Sequence, residues 1–402
     1  MKNMRKALNE RKVLKDKSIL LGVTGGVAAY KTVDLIRRLR EEGSSVTVIM
    51  TEAAKNFITP LSLEVASRNR VFFNLYSDPM IHINLPAGAD ILVIAPATAN
   101  IIGKFARGIA DDLLSTSLLS FRGKVVIAPA MNWRMYENPV FQENLRSLLS
   151  HGVIQVGPEK GDLACGEEGT GKMSDIHEII EAIRFAISNK DLAKEKIIVT
   201  AGPTREYLDP VRFISNRSSG KMGYAIARAA YRRGAEVTLI SGHSALNQPK
   251  GINFISVDTA ADMLNAVNKE IDLSTVLIMS AAVSDFMPAE KTKEKIEKSG
   301  KLLLRLNPTT DIISEVGKNR KKPFIIGFAA ETDGRIKRAK KKLKEKNMNM
   351  IIYNDVTQKG SGFDVDTNKV VIIDREKEIR LPLLSKESVA DAILDRLIEI
   401  RA

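Results

Sequence analysis

The one cysteine of the chain, Cys165, lies in "GDLACGEEGTGKMSD", residues 161–175, among glycines at 161, 166, 169 and 171. A structural cysteine normally fills an apolar strand or helix as a small hydrophobe. The neighbours Gly166, Glu167 and Glu168 place this one in an exposed loop instead. There a thiol can give up a proton, and glycines let a loop close over a site. The four histidines are His82, His151, His177 and His243. Imidazole, with a pKa of about 6.5, accepts a proton near neutrality. A third chemical signal is "GVTGG", residues 22–26, expected to open a helix at Val27. Free amides at such a turn, helped by the helix dipole, bind anions. The motif is not G-x-G-x-x-G, and its spacing to Met50-Thr51-Glu52 favours a mononucleotide over a dinucleotide.

The elements that must hold these groups repeat one plan. "KSILLGVTGGVAAYKTVDLIRRLREEGSSVTVIMT" reads as a strand over about 18–23, a glycine turn, a helix ending at Gly43 and a second strand. "KIIVTAGPTREYLDPVRFISNRSSGKMGYAIARAAYRRGAEVTLISG" repeats that order, with Gly234 as the helix stop and a long polar insertion after its first strand. Each is a βαβ opening, in which a crossover helix joins parallel strands. Two openings predict two doubly wound domains, with the polar "SNKDLAKEK", residues 188–196, as the link. The later apolar runs "ADILVIAPATAN", "KVVIAPAMN", "STVLIMSAAVSD", "KPFIIGFAAET" and "NMIIYNDV" fit strands buried on both faces. Ligands of open α/β sheets bind beyond the carboxyl ends of strands, so the small and polar residues after these runs are the site candidates.

With 402 residues, 44% apolar and 27% charged, the chain reads as an ordinary soluble protein of two or three domains. A single cysteine excludes an internal disulfide and fits a reducing compartment, so a cytoplasmic location is expected. No apolar run approaches the ~20 residues of a membrane helix. The basic start "MKNMRKALNERKVLKDK" lacks the apolar stretch of a secretory signal. The net charge of +13 is concentrated in "RIKRAKKKLKEK", residues 335–346, with eight Lys/Arg and one Glu. Such a run suits a solvated helix face, a nucleic acid or a nucleotide triphosphate.

"GVTGGVAAYK", "IHINLPAGADILVIAPATAN", "GIADDLLST", "APAMNWRMYENP" and "ACGEEGTGKM" occur in that order. Together they closely resemble the phosphopantothenoylcysteine decarboxylases, FMN-dependent flavoproteins of coenzyme A biosynthesis. The resemblance covers about residues 18–185. It implies that His82 is the catalytic base, that Asn132 holds the substrate carboxylate and that Cys165 is the acid. Gly25, Gly26, Val27, Thr51, Pro96, Ala97 and Thr98 are then the residues expected around FMN. The family usually has Gly-His where this chain has Ile81-His82. His151, His177 and His243 have no such context. The chemistry explains the set, because a carboxylate on an unactivated carbon has nowhere to leave its electrons. Oxidising the cysteinyl thiol to a thioaldehyde, with flavin taking the hydride, sets a C=S group beta to the carboxylate and makes loss of CO2 easy. The remaining enethiolate must be reduced by the returning flavin hydride and protonated, and a thiol on a closing loop can supply that proton.

From about 196 to 400 the chain resembles phosphopantothenate–cysteine ligase, commonly fused to that decarboxylase in this order. The stretches that carry the likeness are "TAGPTREYLDPVRFISNRSSGKMG", "SAAVSDF", "KIEK", "NPTTDII", "IGFAAET" and "YNDV". A carboxylate oxygen is a poor leaving group, so the family transfers the acid to CTP as an acyl-cytidylate before cysteine attacks. The amides and hydroxyls of "SNRSSGKMG" suit a phosphate or acyl-nucleotide. The resemblance makes Asn216 the residue that stabilises the acyl intermediate and Lys295 the first lysine of a mobile closing motif. Many relatives have a lysine where this chain has Glu297. Asp285, Pro308, Phe328, Lys342 and Lys346, with Lys295, align with nucleotide-contacting positions. "NPTTDII" is one residue longer than the usual Asn-Pro-Asp-Ile.

The expectation is therefore an α/β protein of two doubly wound, Rossmann-like domains. Residues 1–190 form a flavodoxin-like flavoprotein domain for decarboxylation, and residues 191–402 a CTP-dependent ligase domain. The implied small molecules are 4'-phosphopantothenate, cysteine, CTP and 4'-phosphopantothenoylcysteine, with FMN and with Mg2+ accompanying CTP, its ligands unidentified. A homo-oligomer is implied, with trimers of flavin domains and dimers of ligase domains. No membrane or nucleic-acid partner is expected, since no recognition motif or interleaved aromatic accompanies the basic run. The competing readings are another enzyme of the same flavin superfamily and a basic nucleic-acid-binding protein.

Overall fold

The structure is a computed structural model that describes residues 13–162, 166–298, 300–318, 322–331, 336–355, 357–358, 360–362 and 364–401. The chain falls into two compact units that divide between Ser188 and Asn189.

The first unit opens with β1 (Ser18–Val23), α1 (Thr32–Glu41), β2 (Ser45–Met50), α2 (Pro60–Ser67), β3 (Val71–Phe72) and α3 (Ile81–Ala87). It continues with β4 (Ile91–Ala97), α4 (Ala99–Arg107), α5 (Leu113–Ser120), β5 (Lys124–Pro129), α6 (Trp133–Tyr136), α7 (Pro139–Ser150) and β6 (Ile154–Gln155). A hairpin of β7 (Glu159–Asp162) and β8 (Glu168–Lys172) precedes α8 (Ile176–Ile187). Strands β1 to β6 form one parallel sheet in the order 3-2-1-4-5-6. The continuous apolar run of β1 is used on both faces. Ile19 and Leu21 pack with Leu35, Ile36 and Leu39 of α1, whereas Leu20 packs with Ile101 and Ile102 of α4 and Leu114 of α5. That division is what a strand covered by helices on both sides requires.

The second unit contains β9 (Lys196–Ala201), β10 (Arg205–Tyr207), β11 (Phe213–Ser215), α9 (Lys221–Arg232), β12 (Glu236–Ser241), β13 (Asn253–Ser256), α10 (Ala260–Glu270) and β14 (Val276–Met279). Then follow β15 (Phe286–Pro288), β16 (Leu306–Pro308), α11 (Ile312–Gly317), β17 (Phe324–Glu331), α12 (Ile336–Glu345) and β18 (Met350–Asp355). The last elements are β19 (Thr367–Asn368), β20 (Val370–Asp374), β21 (Glu378–Arg380), β22 (Leu384–Ser385) and α13 (Lys386–Arg401). Eight strands form the main sheet, in the order β13-β12-β9-β14-β17-β18-β20-β21. Its first six strands are parallel, and β20 and β21 run antiparallel. Most of the segment read as a link belongs to this unit, since Leu192 is buried in its core and Lys196 already starts β9. Strand order reverses between β1 and β4, and again between β9 and β14, which opens a crevice at the carboxyl end of each sheet.

One buried cation tunes the second unit. Lys386 Nζ donates to the carbonyls of Gly362 and Val365 at 3.1 and 2.5 Å. Burial pushes its pKa down to about 8, with Lys221 adding to the shift and Asp366 and Asp364 opposing it. The folded state therefore releases this proton before the unfolded chain does. Keeping the charge costs stability below pH 8, and that cost disappears as pH rises toward the ordinary lysine value of about 10.4. Relative to a Lys386→Met protein, the wild type is expected to gain stability between those pH values. Denaturant midpoints measured on both proteins across that window check the sign.

Candidate active sites

In the first unit the crevice is a cavity of about 880 Å³, ordinary for a small-molecule site. Gly25, Gly26, Val27, Thr51, Thr98 and Asn132 line it. The loop after β1 is tied to the loop after β4 by Thr24, whose Oγ1 donates to the Pro96 carbonyl at 2.7 Å and accepts from Thr98 N at 3.2 Å. Pro96 and Ala97 do not line the cavity. The Ala97 carbonyl accepts from Ala130 N and so ties the β4 end to the β5 end. A Cβ on Gly25 would lie 2.8 Å from the Ala53 carbonyl carbon, so only glycine lets the loop after β1 meet the turn after β2. The Thr51 hydroxyl is buried at the lining without a hydrogen-bond partner, a group that a bound ligand would satisfy. Where the sequence predicts a helix from Val27, Val27–Lys31 is a 3-10 turn and the α-helix begins at Thr32. The tighter turn leaves Val27 and Tyr30 exposed at the cavity.

Asn132 caps α6, its Oδ1 accepting from Arg134 N at 2.9 Å. Its segment is pinned by the hairpin, since Met131 N donates to the Gly171 carbonyl at 3.0 Å. A Cβ on Gly171 would lie 2.0 Å from Met131 O, and one on Gly169 2.6 Å from Trp133 Cβ. These two glycines serve close packing, which replaces the expectation that they free a loop to move. Cys165 lies outside the described residues. The hairpin that carries its loop is latched to α6 by Glu167, which accepts from Trp133 Nε1 at 2.8 Å and Arg134 Nη2 at 2.7 Å. Gly171→Ala is expected to displace the Met131–Asn132 turn and to cost the decarboxylation that the resemblance implies about tenfold or more. Release of CO2, with the second unit's expected ligation as internal control, checks that outcome.

His82 does not line this cavity. It lies in the first turn of α3, and its carbonyl accepts from Ser120 Oγ at the far end of α5 from Leu113, which does line it. An eight-residue helix separates those ends by about 10 Å. The His82 Nδ1 is buried without a partner.

The second unit assembles its candidates around the segment that follows β14. The Val283 carbonyl accepts from Asn216 Nδ2 at 2.8 Å, and the Ser284 carbonyl from Thr309 Oγ1 at 2.6 Å. Asp285 O accepts from Thr309 N, and Phe286 pairs with Pro308 across β15 and β16. Asn216, Asp285 and Pro308 are thereby brought together. The approach of α9 to β9 needs Gly223, where a Cβ would lie 2.9 Å from the Thr200 carbonyl oxygen. Lys295 is exposed, but its neighbour Ile296 is held: Asp209 Oδ2 accepts from Ile296 N at 3.1 Å and Arg212 donates to Ile296 O at 2.8 Å. Phe328 is half-buried on β17 against the α9 side of the sheet. Lys342 pairs with Glu331 at 2.7 Å and Lys346 with Asp311 at 2.6 Å.

Residues 7–188 match the family described as Flavoprotein, and residues 192–400 match the DNA/pantothenate metabolism flavoprotein C-terminal domain. The chain is 42% identical over 395 residues to the coenzyme A biosynthesis bifunctional protein CoaBC of Bacillus subtilis (strain 168), covering 96% of this chain and 97% of that one. The chain belongs to the CoaBC family. The Escherichia coli (strain K12) member is 43% identical over 396 residues, again covering 96% of this chain and 97% of that one. Among solved structures, the C-terminal domain of a CoaBC protein is 41% identical, covering 53% of this chain and 98% of that chain with a TM-score of 0.46.

Read as a CoaBC protein, the chain has site groups that its motifs alone did not single out. Thr24 bridges the two loops of the first crevice, inside the "GVTGG" turn. Lys104, which pairs with Asp111 and Asp112, lines the cavity together with Asp112. Asp209 and Arg212 anchor the lysine-rich segment, and "LDPVR" carried that signal as an acid and a base beside a proline turn.

Proposed function

We propose that the first unit decarboxylates 4'-phosphopantothenoylcysteine to 4'-phosphopantetheine and that the second joins 4'-phosphopantothenate to cysteine at the expense of CTP. The chain is a bifunctional enzyme of coenzyme A biosynthesis, and its first unit is a flavoprotein. The observation that carries the first reaction is the cavity where the unpaired Thr51 hydroxyl and the side-chain-free Gly25 meet Thr98 and Asn132. Gly25, Gly26, Val27, Thr51 and Thr98 would hold FMN there, with Pro96 and Ala97 supporting the loops that carry them. Bound FMN supplies hydride transfer at the sulfur-bearing carbon. Asn132 orients the substrate carboxylate over the cavity, and the capping turn fixes its side chain. His82 takes the thiol proton, supplied by a second copy of the chain in a homo-oligomer, because one chain keeps it away from its own cavity. Cys165 returns a proton to the enethiolate. Trimers of first units meet this need, and dimers of second units complete the assembly.

In the second reaction Asn216 stabilises the acyl-cytidylate and Lys295 closes over it. Asp285, Pro308, Phe328, Lys342 and Lys346 hold the nucleotide, with Mg2+ accompanying its phosphates. The absence of any described helix long and apolar enough to cross a membrane is consistent with the cytoplasmic setting we propose. The test is pyrophosphate release by the full chain given CTP, 4'-phosphopantothenate and cysteine. Release is expected to match amide formation and to require both CTP and the acid. Amide formation without pyrophosphate would contradict the acyl-nucleotide route.

A further inference from the structure

The two lysines proposed for the triphosphate are each paired with a carboxylate, and the two pairs differ in kind. The Glu331 side chain is 8% exposed at the end of β17, with Lys342 Nζ 2.7 Å from Oε1. The Arg338 guanidinium stands 3.6 Å from its other oxygen. The Asp311 side chain is 41% exposed, and Lys346 Nζ lies 2.6 Å from its Oδ2. Asp311 Oδ1 has separate work, capping α11 by accepting from Ser314 N at 3.0 Å. Burial pushes the Asp311 carboxyl up, but Lys346 and the Ser314 amide more than offset this and hold it below the usual carboxylate range.

An anion arriving at a lysine–carboxylate pair must displace the carboxylate or share the ammonium with it. A half-exposed carboxylate can return its oxygen to water, whereas a buried one left unpaired carries a heavy desolvation penalty. Asp311 can also release Lys346 from Oδ2 without undoing its helix cap on Oδ1. We propose that Asp311 is a placeholder that the triphosphate displaces from Lys346, while Glu331 is a fixed positioning residue that keeps Lys342 aimed at the phosphates. The inference rests on the nucleotide reading of Lys342 and Lys346 given above.

The two carboxylates then have opposite effects on the KM for CTP. Asp311→Asn keeps the cap, because asparagine caps helices as well as aspartate. It is expected to lower the KM for CTP about two- to fivefold at low salt, the scale of a partly exposed ion pair. Glu331→Gln is expected to raise that KM about tenfold by misaiming Lys342. Decarboxylation by the same full-length proteins stays unchanged, and a retained kcat for ligation at saturating CTP reports that the second unit is folded. Lys346→Met raises the KM for CTP, and adding Asp311→Asn to it has no further effect. If Asp311→Asn leaves the KM unchanged or raises it while Lys346→Met raises it, the placeholder role is overturned and the nucleotide reading stands. An equal gain from Asp311→Asn without Lys346 also overturns it, since the effect is then long-range charge. A Lys346→Met protein with unaltered KM sinks the nucleotide reading and the inference with it.

Discussion

Asn132→Asp is expected to slow decarboxylation about a thousandfold while leaving bound flavin and ligation intact. The substitution is close to silent for the fold. Asn132 caps α6 through Oδ1, and aspartate serves equally well at that position. What changes is charge, because the side chain proposed to orient the substrate carboxylate becomes a second carboxylate. Two like charges about 4 Å apart repel by about 4 kcal/mol at an effective dielectric constant of 20, close to a factor of a thousand in rate. The loss is read as kcat/KM for CO2 release, with pyrophosphate release from CTP as the control in the same preparation. A loss below tenfold would mean that Asn132 does not face the carboxylate.

Asp209→Ala is the second large effect, and it falls on the other half. The Asp209 carboxyl is buried and accepts from Val211 N, Arg212 N, Ile296 N and the Arg212 guanidinium. Burial pushes its pKa up, but the three amides and Arg212 outweigh that and hold it below the usual carboxylate range. Removing it strands three amides and loosens the segment that carries Lys295. The second unit is expected to lose roughly 4 °C or more in Tm. Ligation is expected to fall about a hundredfold through misplacement of Lys295. Decarboxylation should persist. Because the folded pKa is depressed, this stabilisation is fully present above the ordinary carboxylate pKa of about 4 and fades as pH falls through the folded value. The variant should therefore also lose part of the acid-side drop in stability. Asp209→Asn, which keeps the shape, separates lost charge from lost packing. Normal ligation in both variants would remove Lys295 from the chemistry or Asp209 from its support.

Much of the fold was legible because parallel strands covered on both faces are written as unbroken apolar runs. The run beginning at Ser18 gave β1 its bounds, and Gly43 and Gly234 marked the helix stops through their left-handed backbone. The site candidates followed from the rule that ligands gather at the carboxyl ends of such strands. What stayed hidden depends on contacts between residues far apart in the chain. Gly169 and Gly171 look like loop glycines until Trp133 and Met131 are seen against them. The pairing of Asp209 with Ile296 spans 87 residues, and nothing local in either segment announces it. The basic run gave its helix, but Glu331 and Asp311, which neutralise Lys342 and Lys346, come from other elements. The 3-10 turn at Val27–Lys31 has no marker of its own, so the glycine turn before "VAAYK" reads as the opening of one continuous helix.

Gly25, Gly26, Val27, Thr51 and Thr98 would hold FMN in the first cavity, where it would supply electron acceptance at the thiol-bearing carbon before CO2 leaves. The most direct measurement is the visible spectrum of the full chain after incubation with FMN and gel filtration, then on anaerobic addition of 4'-phosphopantothenoylcysteine to a Cys165→Ser protein. The expected result is a retained yellow flavin spectrum that bleaches as CO2 is released, because the Cys165→Ser protein lacks the returning proton. A protein that emerges colourless yet releases CO2 at the wild-type rate would contradict it.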